Sequence, residues 1–152
     1  MLISQTAEYA LRAAVTLADG PDRPWTTQAI AAQTRIPAGY LSKVLQALAR
    51  ADLVRGQRGL GGGFTLTREP GDISVLDVIN AVDPMQRIHT CPLKLAAHGK
   101  KLCPLHRKLD DAMAYIEKSF RETSLAEILA EPSTSKPFCD EPVTLSVAKT
   151  GR

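Results

Sequence analysis

From position 57 the chain reads Gln57-Arg58-Gly59-Leu60-Gly61-Gly62-Gly63-Phe64. Four glycines in five residues disfavour both helix and strand, because glycine loses the most backbone freedom on ordering. They do suit a tight turn, which needs positive φ. Leu53-Val54-Arg55-Gly56 lies before them, and Phe64-Thr65-Leu66-Thr67-Arg68 after them alternates apolar and polar residues as a half-buried strand does. The spacing predicts a β-hairpin. A phosphate-cradling loop would instead need a helix directly after the glycines, so that helix N–H groups meet the phosphate. Here a strand pattern follows, and Phe64 stands where the last required glycine would fall.

Three helical patterns precede the hairpin. From Ser4 to Ala18, the residues Ala7, Ala10, Leu11, Ala14, Val15 and Ala18 repeat at three- and four-residue spacing, with Ser4 placed to cap. Asp19-Gly20-Pro21-Asp22 stops that run. A second helix begins at Thr26 or Thr27, turns Ala29, Ile30 and Ala31 inward, and ends near Thr34. Pro37 is suited to the first turn of a third, where a missing N–H costs nothing. Leu41, Val44, Leu45 and Leu48 form its apolar stripe, and Gly39, Ser42, Lys43, Gln46 and Arg50 lie opposite. Two short helices joined by a tight turn describe a helix-turn-helix. With the hairpin next in order, the pattern is a winged helix: a mainly α fold with a small β wing.

Charge agrees with that order. The chain's net charge is only +3, but positions 35–68 hold six Arg and Lys against the single acid Asp52, a local +5. A helix fits the major groove, where Ser42, Lys43, Gln46 and Arg50 can reach base edges or phosphates. Arg55, Arg58 and the tip residues Gly59 and Gly61 can meet the backbone or a minor groove. Thr27, Gly39 and Tyr40 complete the candidate DNA contacts. Double-stranded DNA is the expected partner, since charge, helix-turn-helix and glycine-tipped hairpin occur in the right order.

Beyond Glu69-Pro70-Gly71-Asp72, Ser74 and Asp77 have capping-box spacing ahead of Val75, Leu76, Ile79 and Val82. Residues 85–103 lack periodicity and contain His89, Cys91, His98 and Cys103. A long helix follows from Pro104 to about Arg121, with Leu105, Leu109, Ala112, Met113, Ile116 and Phe120 as an apolar seam. That seam is too apolar for a lone exposed helix; packing on its own domain could bury part of it, and pairing with a second copy would cover the rest. Ser124 and Glu127 cap a last helix through Ala130. The expected units are therefore 1–72, the DNA-binding domain, 73–131, a Cys/His loop with dimerisation helices, and 132–152, a flexible tail carrying Cys139.

Three cysteines, with no secretory leader pattern at the start, argue against a disulfide framework and for a reducing, cytoplasmic setting. No apolar run approaches a membrane span. Cys91, His98, Cys103 and His106 follow the spacing C-x6-H-x4-C-x2-H. Thiolates with imidazoles suit zinc or an iron–sulfur cluster. Cys103 precedes Pro104 at a helix start, where the dipole and free N–H groups favour a thiolate, and His106 follows one turn on.

Several stretches resemble the IscR/NsrR family of winged-helix regulators, which respond to iron–sulfur status, nitric oxide or redox state. They are Ala7-Glu8-Tyr9-Ala10-Leu11, Ile36-Pro37 with Tyr40-Leu41, Arg58 to Phe64, and Asp77 to Asp83. The resemblance spans about residues 1–131. It implies a homodimer on a palindromic promoter, acting as a repressor, with an iron–sulfur cluster of the 2Fe-2S type ahead of 4Fe-4S. It further implies ligation by Cys91, Cys103, His106 or His98, with Glu8 of a second copy as a further ligand. The family pattern has a third, middle cysteine. Ala97 stands in its place, beside His98. Zinc, a thiol sensor without a cluster, and a structural loop with no metal therefore stay open. So does a metal-free regulator answering to a small ligand or a protein partner. An enzyme using the Cys/His segment has little support, because no acid–base pair can be read.

Overall fold

In the computed structural model, residues 3–93, 101–133 and 137–138 are described. Helix α1 (Gln5–Asp19) starts at Ser4, whose hydroxyl accepts the Ala7 N–H at 3.2 Å. Helix α2 (Thr27–Thr34) is capped by Thr26, which accepts the Ala29 N–H at 3.1 Å. Arg35 ends it in the left-handed region at φ 56. Helix α3 (Ala38–Arg50) follows. Pro37 stands just before it rather than inside its first turn, and its carbonyl accepts the N–H groups of Tyr40 and Leu41. Leu41, Val44, Leu45 and Leu48 are all buried, as their spacing predicts. Ala29 is a correction: it is exposed, while Ile30 is buried and Ala31 half-buried. So short a helix meets α1 and α3 along a narrow line, which leaves no inward place for three consecutive residues.

The hairpin is present, with β1 (Val54–Gln57) antiparallel to β2 (Gly63–Leu66) and Gly56 opposite Phe64. Gly59 and Gly61 take the turn at φ 98 and 73. The base of the wing is tied to the body by Trp25. Its N–H donates to the Phe64 carbonyl at 2.9 Å, and the Phe64 N–H donates back at 2.8 Å. A Cβ at Gly63 would lie 2.5 Å from the Trp25 carbonyl oxygen, so only glycine permits this approach.

A short 3-10 turn (Pro70–Asp72) leads to α4 (Val75–Val82), and the chain later returns as α5 (Pro104–Glu122) and α6 (Leu125–Ala130). Both expected capping boxes form, Ser74 with Asp77 and Ser124 with Glu127. Leu125 N–H donates to Ile73 at 3.0 Å and Val75 N–H to Thr123 at 2.9 Å, which joins the two helix starts. Ile73, Val78 and Leu125 belong to the same core as Leu17, Ile30, Leu41 and Leu48. The segments on either side of position 72 thus share one core.

Helix α5 differs from the others, because its 19 residues include no fully buried side chain. Met113, Ile116 and Phe120 are half-buried, whereas Leu105, Leu109 and Tyr115 are exposed at 64%, 49% and 77%. Ala112 is exposed too. The expected tail is tied to the body at one described point. Phe138 packs against the main core, and its carbonyl accepts from Gln33 Nε2 at 3.2 Å. Cys139 lies outside the described residues. Among the described residues, no helix is long and apolar enough to cross a membrane.

Two glycines should respond with opposite sign to the same change. Gly63→Ala is expected to destabilise by about 1–3 kcal/mol, the usual cost of forcing atoms into occupied space. Gly39 lies in α3 with nothing within 4 Å of an added Cβ. Gly39→Ala should therefore stabilise by about 0.5–1 kcal/mol through helix propensity. Urea titration of both variants measures the pair.

Candidate nucleic-acid interface and cysteine–histidine site

Helix α3 divides cleanly. Its aliphatic stripe is buried, and Gly39, Ser42, Lys43, Gln46 and Arg50 are all exposed. That polar face projects outward because the leucine face is anchored, which is how a reading helix must stand to enter a groove. Ser42 Oγ donates to the Ala38 carbonyl at 3.1 Å, which leaves the hydroxyl oxygen free to accept from a base or from another donor. Thr27 is half-buried as the first residue of α2, with Thr26 taking the cap. Tyr40 leans toward α1: its hydroxyl shares a hydrogen bond with Thr6 Oγ1 at 2.5 Å, and its ring meets the Tyr9 ring edge-on at 5.5 Å. In the wing, Arg55, Arg58, Gly59 and Gly61 are exposed, and Arg55 Nε donates to Thr65 Oγ1 at 3.4 Å. Leu60 at the tip is fully exposed.

The second site sits at the start of α5. Cys103 is the N-cap residue and makes no side-chain cap bond, so its sulfur is left to face elsewhere. Sγ lies 3.2 Å from His106 Nδ1. One helical turn thus brings a thiol and an imidazole together beside the N–H groups of a helix start. Cys91 is buried at 5% exposure, and neither cysteine is in a disulfide. His98 lies outside the described residues. Glu8 is engaged on α1, where Arg12 Nε donates to its carboxylate at 2.6 Å. Arg12 Nη1 also reaches the Thr34 carbonyl at 3.1 Å, at the end of α2. Among the described residues, no three His, Cys, Asp or Glu side chains group closely enough to hold a metal ion. Cys103 and His106 therefore supply two adjacent donors of the right chemistry for a zinc or iron–sulfur centre. Further donors would have to come from Cys91, from His98, or from Glu8 of a second copy.

Sequence reasoning missed a polar clamp on α5, beyond the Cys103–His106 turn. Arg87 Nε and Nη2 donate to the two oxygens of Asp110 at 2.6 and 2.7 Å, and Nη1 reaches Glu117 at 3.4 Å. The Ile88 N–H donates to Asp110 at 2.9 Å. The Arg87 fork is the main cause that holds the Asp110 carboxyl down at about 2 from its ordinary 3.8. Arg87 is raised above its usual range for the same reason. No local signal marks this pair, because Arg87 lies in an aperiodic stretch 23 residues from its partner.

A helix-turn-helix with an exposed polar reading face, followed by a basic two-stranded wing, defines a winged-helix DNA-binding protein. Residues 3–131 match the model of the Rrf2 family, described as iron-dependent transcriptional regulators, and the chain belongs to that family. Among curated relatives, an HTH-type transcriptional regulator assignment is carried by an Aquifex aeolicus (strain VF5) protein 30% identical over 132 residues, 85% of this chain and 92% of that one. The HTH-type transcriptional regulator IscR of Aliivibrio salmonicida (strain LFI1238) is 29% identical over 132 residues, covering 86% and 79%. Among solved structures, T. potens IscR aligns at TM-score 0.71 and 26% identity, covering 85% and 86%. The global cysteine regulator CymR of B. subtilis aligns at TM-score 0.71, covering 84% and 95%, and at 22% identity it speaks for the fold alone. The protein is accordingly a DNA-binding transcriptional regulator and not an enzyme.

The clamp has a pH signature. Asp110 is depressed in the folded state, so its contribution is present above the unfolded value near 4 and is lost as pH falls toward 2. Glu127, lowered chiefly by the Ser124 N–H, adds the same sign. Thermal unfolding followed between about pH 5 and pH 2 should show a steep loss of Tm in the wild type. In Asp110→Asn the loss should be shallower, starting from a lower Tm at neutral pH.

Proposed function

We infer that the protein is a homodimeric repressor that binds a palindromic promoter and whose grip is set by a Cys/His site at the head of α5. The observation that carries this reading is that one helix bears both parts. The Cys103–His106 pair lies at its first turn, and Leu105, Leu109 and Tyr115 stand exposed along the part of the helix that follows. Covering that face with the same helix of a second copy is the simplest way to remove Leu105, Leu109 and Tyr115 from water. It would also set the spacing of two α3 helices on successive half-sites. Anything that moves Cys103 and His106 then moves the dimer axis.

The group we favour at the site is an iron–sulfur cluster of the 2Fe-2S type, held by Cys91, Cys103 and His106 with His98 or Glu8 of a second copy. When bound, such a cluster supplies a centre whose charge and ligation change with electrons, iron supply or nitric oxide. The chain's own contribution is to hold donors at a helix start and to shield Cys91 from solvent. A metal-free thiol regulator is the second reading, favoured by the absence of any three-donor grouping among the described residues. In either case the setting is expected to be the cytoplasm.

Metal and acid-labile sulfide analysis of anaerobically prepared protein separates the two. Iron and sulfide in equal amounts, with visible charge-transfer absorption, are expected. Colourless protein whose DNA binding ignores oxidants and chelators would overturn the sensing half. On the DNA side, Lys43→Ala should weaken binding to all sequences and lower the salt slope by about 1. Gln46→Ala should cost about 1–3 kcal/mol and relax preference at one base position. Fluorescence anisotropy at several salt concentrations reads both.

A further inference from the structure

Helix α2 is the most thinly anchored part of the helix-turn-helix. Of its eight residues only Ile30 and Thr34 are buried, whereas α3 buries four aliphatic side chains. A helix this short keeps its place through tertiary contacts rather than through propensity. One such contact comes from far along the chain. Gln33, exposed in the last turn of α2, donates from Nε2 to the Phe138 carbonyl at 3.2 Å. The Phe138 ring packs against the main core, beside a cavity of about 50 Å³ bordered by Val15 and Asp19 of α1 and Leu129 of α6. One residue thus meets three helices: its carbonyl reaches α2, and its ring lies by α1 and α6. The contact falls beyond residue 131, where the match to the family model ends, so it belongs to this chain's own C-terminal segment. Phe138 takes φ 62, in the left-handed region, which a bulky residue adopts only where its surroundings hold it. Here apolar packing holds the ring and the Gln33 amide holds the carbonyl. Losing either lets the backbone relax, so the contact releases as a unit.

We propose that this segment is an intramolecular strap, with Phe138 seated between α1 and α6 and latched to α2 through Gln33, and that the strap fixes the placement of α2 for DNA binding. In a helix-turn-helix the first helix crosses the phosphate backbone while the second enters the groove. Phosphate contacts set orientation and affinity but carry no sequence information. Thr27, the first residue of α2, is the candidate contact that moves with this helix. Helix α3 keeps its own anchor of buried aliphatic side chains when the strap is released. Release therefore weakens binding and leaves base preference alone. Phe138 acts through α2 and is a positioning residue.

The test compares full-length wild type with Phe138→Ala, Phe138→Leu and Gln33→Ala. Hydrogen exchange followed by mass spectrometry reads each helix separately. In Phe138→Ala, peptides covering α2 are expected to exchange at least about fivefold faster, with α3 unchanged. Phe138→Leu keeps apolar bulk and should fall between. Gln33→Ala changes an exposed side chain, should reproduce part of the effect from the α2 side, and carries the test if Phe138→Ala fails to fold. Binding of Phe138→Ala to a fluorescein-labelled duplex of mixed sequence should be about three- to tenfold weaker, with the bases selected from a random duplex pool unchanged. A synthetic peptide of residues 133–142, added in excess to Phe138→Ala, should restore slow exchange in α2. Faster exchange spread equally over α2, α3 and the core would mark a merely stabilising residue and overturn the proposal. Unchanged exchange in α2, or unchanged affinity for the duplex, would do the same. Photo-crosslinking through benzoylphenylalanine at position 138 identifies whose segment fills the seat. A cross-link within one chain is expected, and a covalent dimer would overturn the intramolecular strap.

Discussion

The alanine face of α1 sets how closely every other element can approach. Ala7, Ala10, Ala13, Ala14 and Ala18 are buried along it, and α2, α3, α4, α6 and β2 all pack against this helix. Methyl side chains let a neighbouring helix approach near the short end of the usual 8–10 Å interaxial range, where a leucine would hold it away. The small side chains on that face leave room for several elements to pack closely against one helix. The reading helix, the wing and the segment after the wing are thereby referred to a single axis. A shift of α1 would be felt by all of them at once.

The two candidate sites use that frame differently. Helix α3 is locked to it by four buried aliphatic side chains, and its polar face is what remains. The wing is locked by reciprocal hydrogen bonds between Trp25 and Phe64, which require glycine at position 63. Helix α5 stands outside the frame, touching it through α4 and the half-buried Phe120. It is held to the preceding segment by charge, through Arg87, rather than by a buried face. Helix α3 is thus fixed by buried aliphatic contacts, and α5 is joined to the core over a smaller apolar contact.

Much of the fold was legible because its signals are local. Capping boxes at Ser74 and Ser124, the stripe in α3 and the glycine turn each depend on residues within a few positions. The places where expectation failed depend on partners far away. Ala29 follows a helical pattern, but the short α2 has no neighbour on that side. The contacts of Tyr40 with Thr6 and Tyr9 on α1 carry no local mark in the sequence. Phe138 lies in a stretch whose composition reads as tail, yet it finds an apolar place on the core. The candidate site was legible in part: Cys103 and His106 are one turn apart in any helix, whereas Arg87 and Asp110 carry no mark of each other.

By itself, then, the sequence determined the order of elements, the exposed polar face of α3 and the thiol–imidazole pair, because periodicity, turn chemistry and helix-start chemistry act over one or two turns. Only the tertiary structure decided that one core spans both halves of the chain, that α5 keeps an uncovered apolar face, and that Arg87 ties the cysteine segment to it. These outcomes rest on distances between residues dozens of positions apart, which are set by how closely helices approach the alanine face of α1.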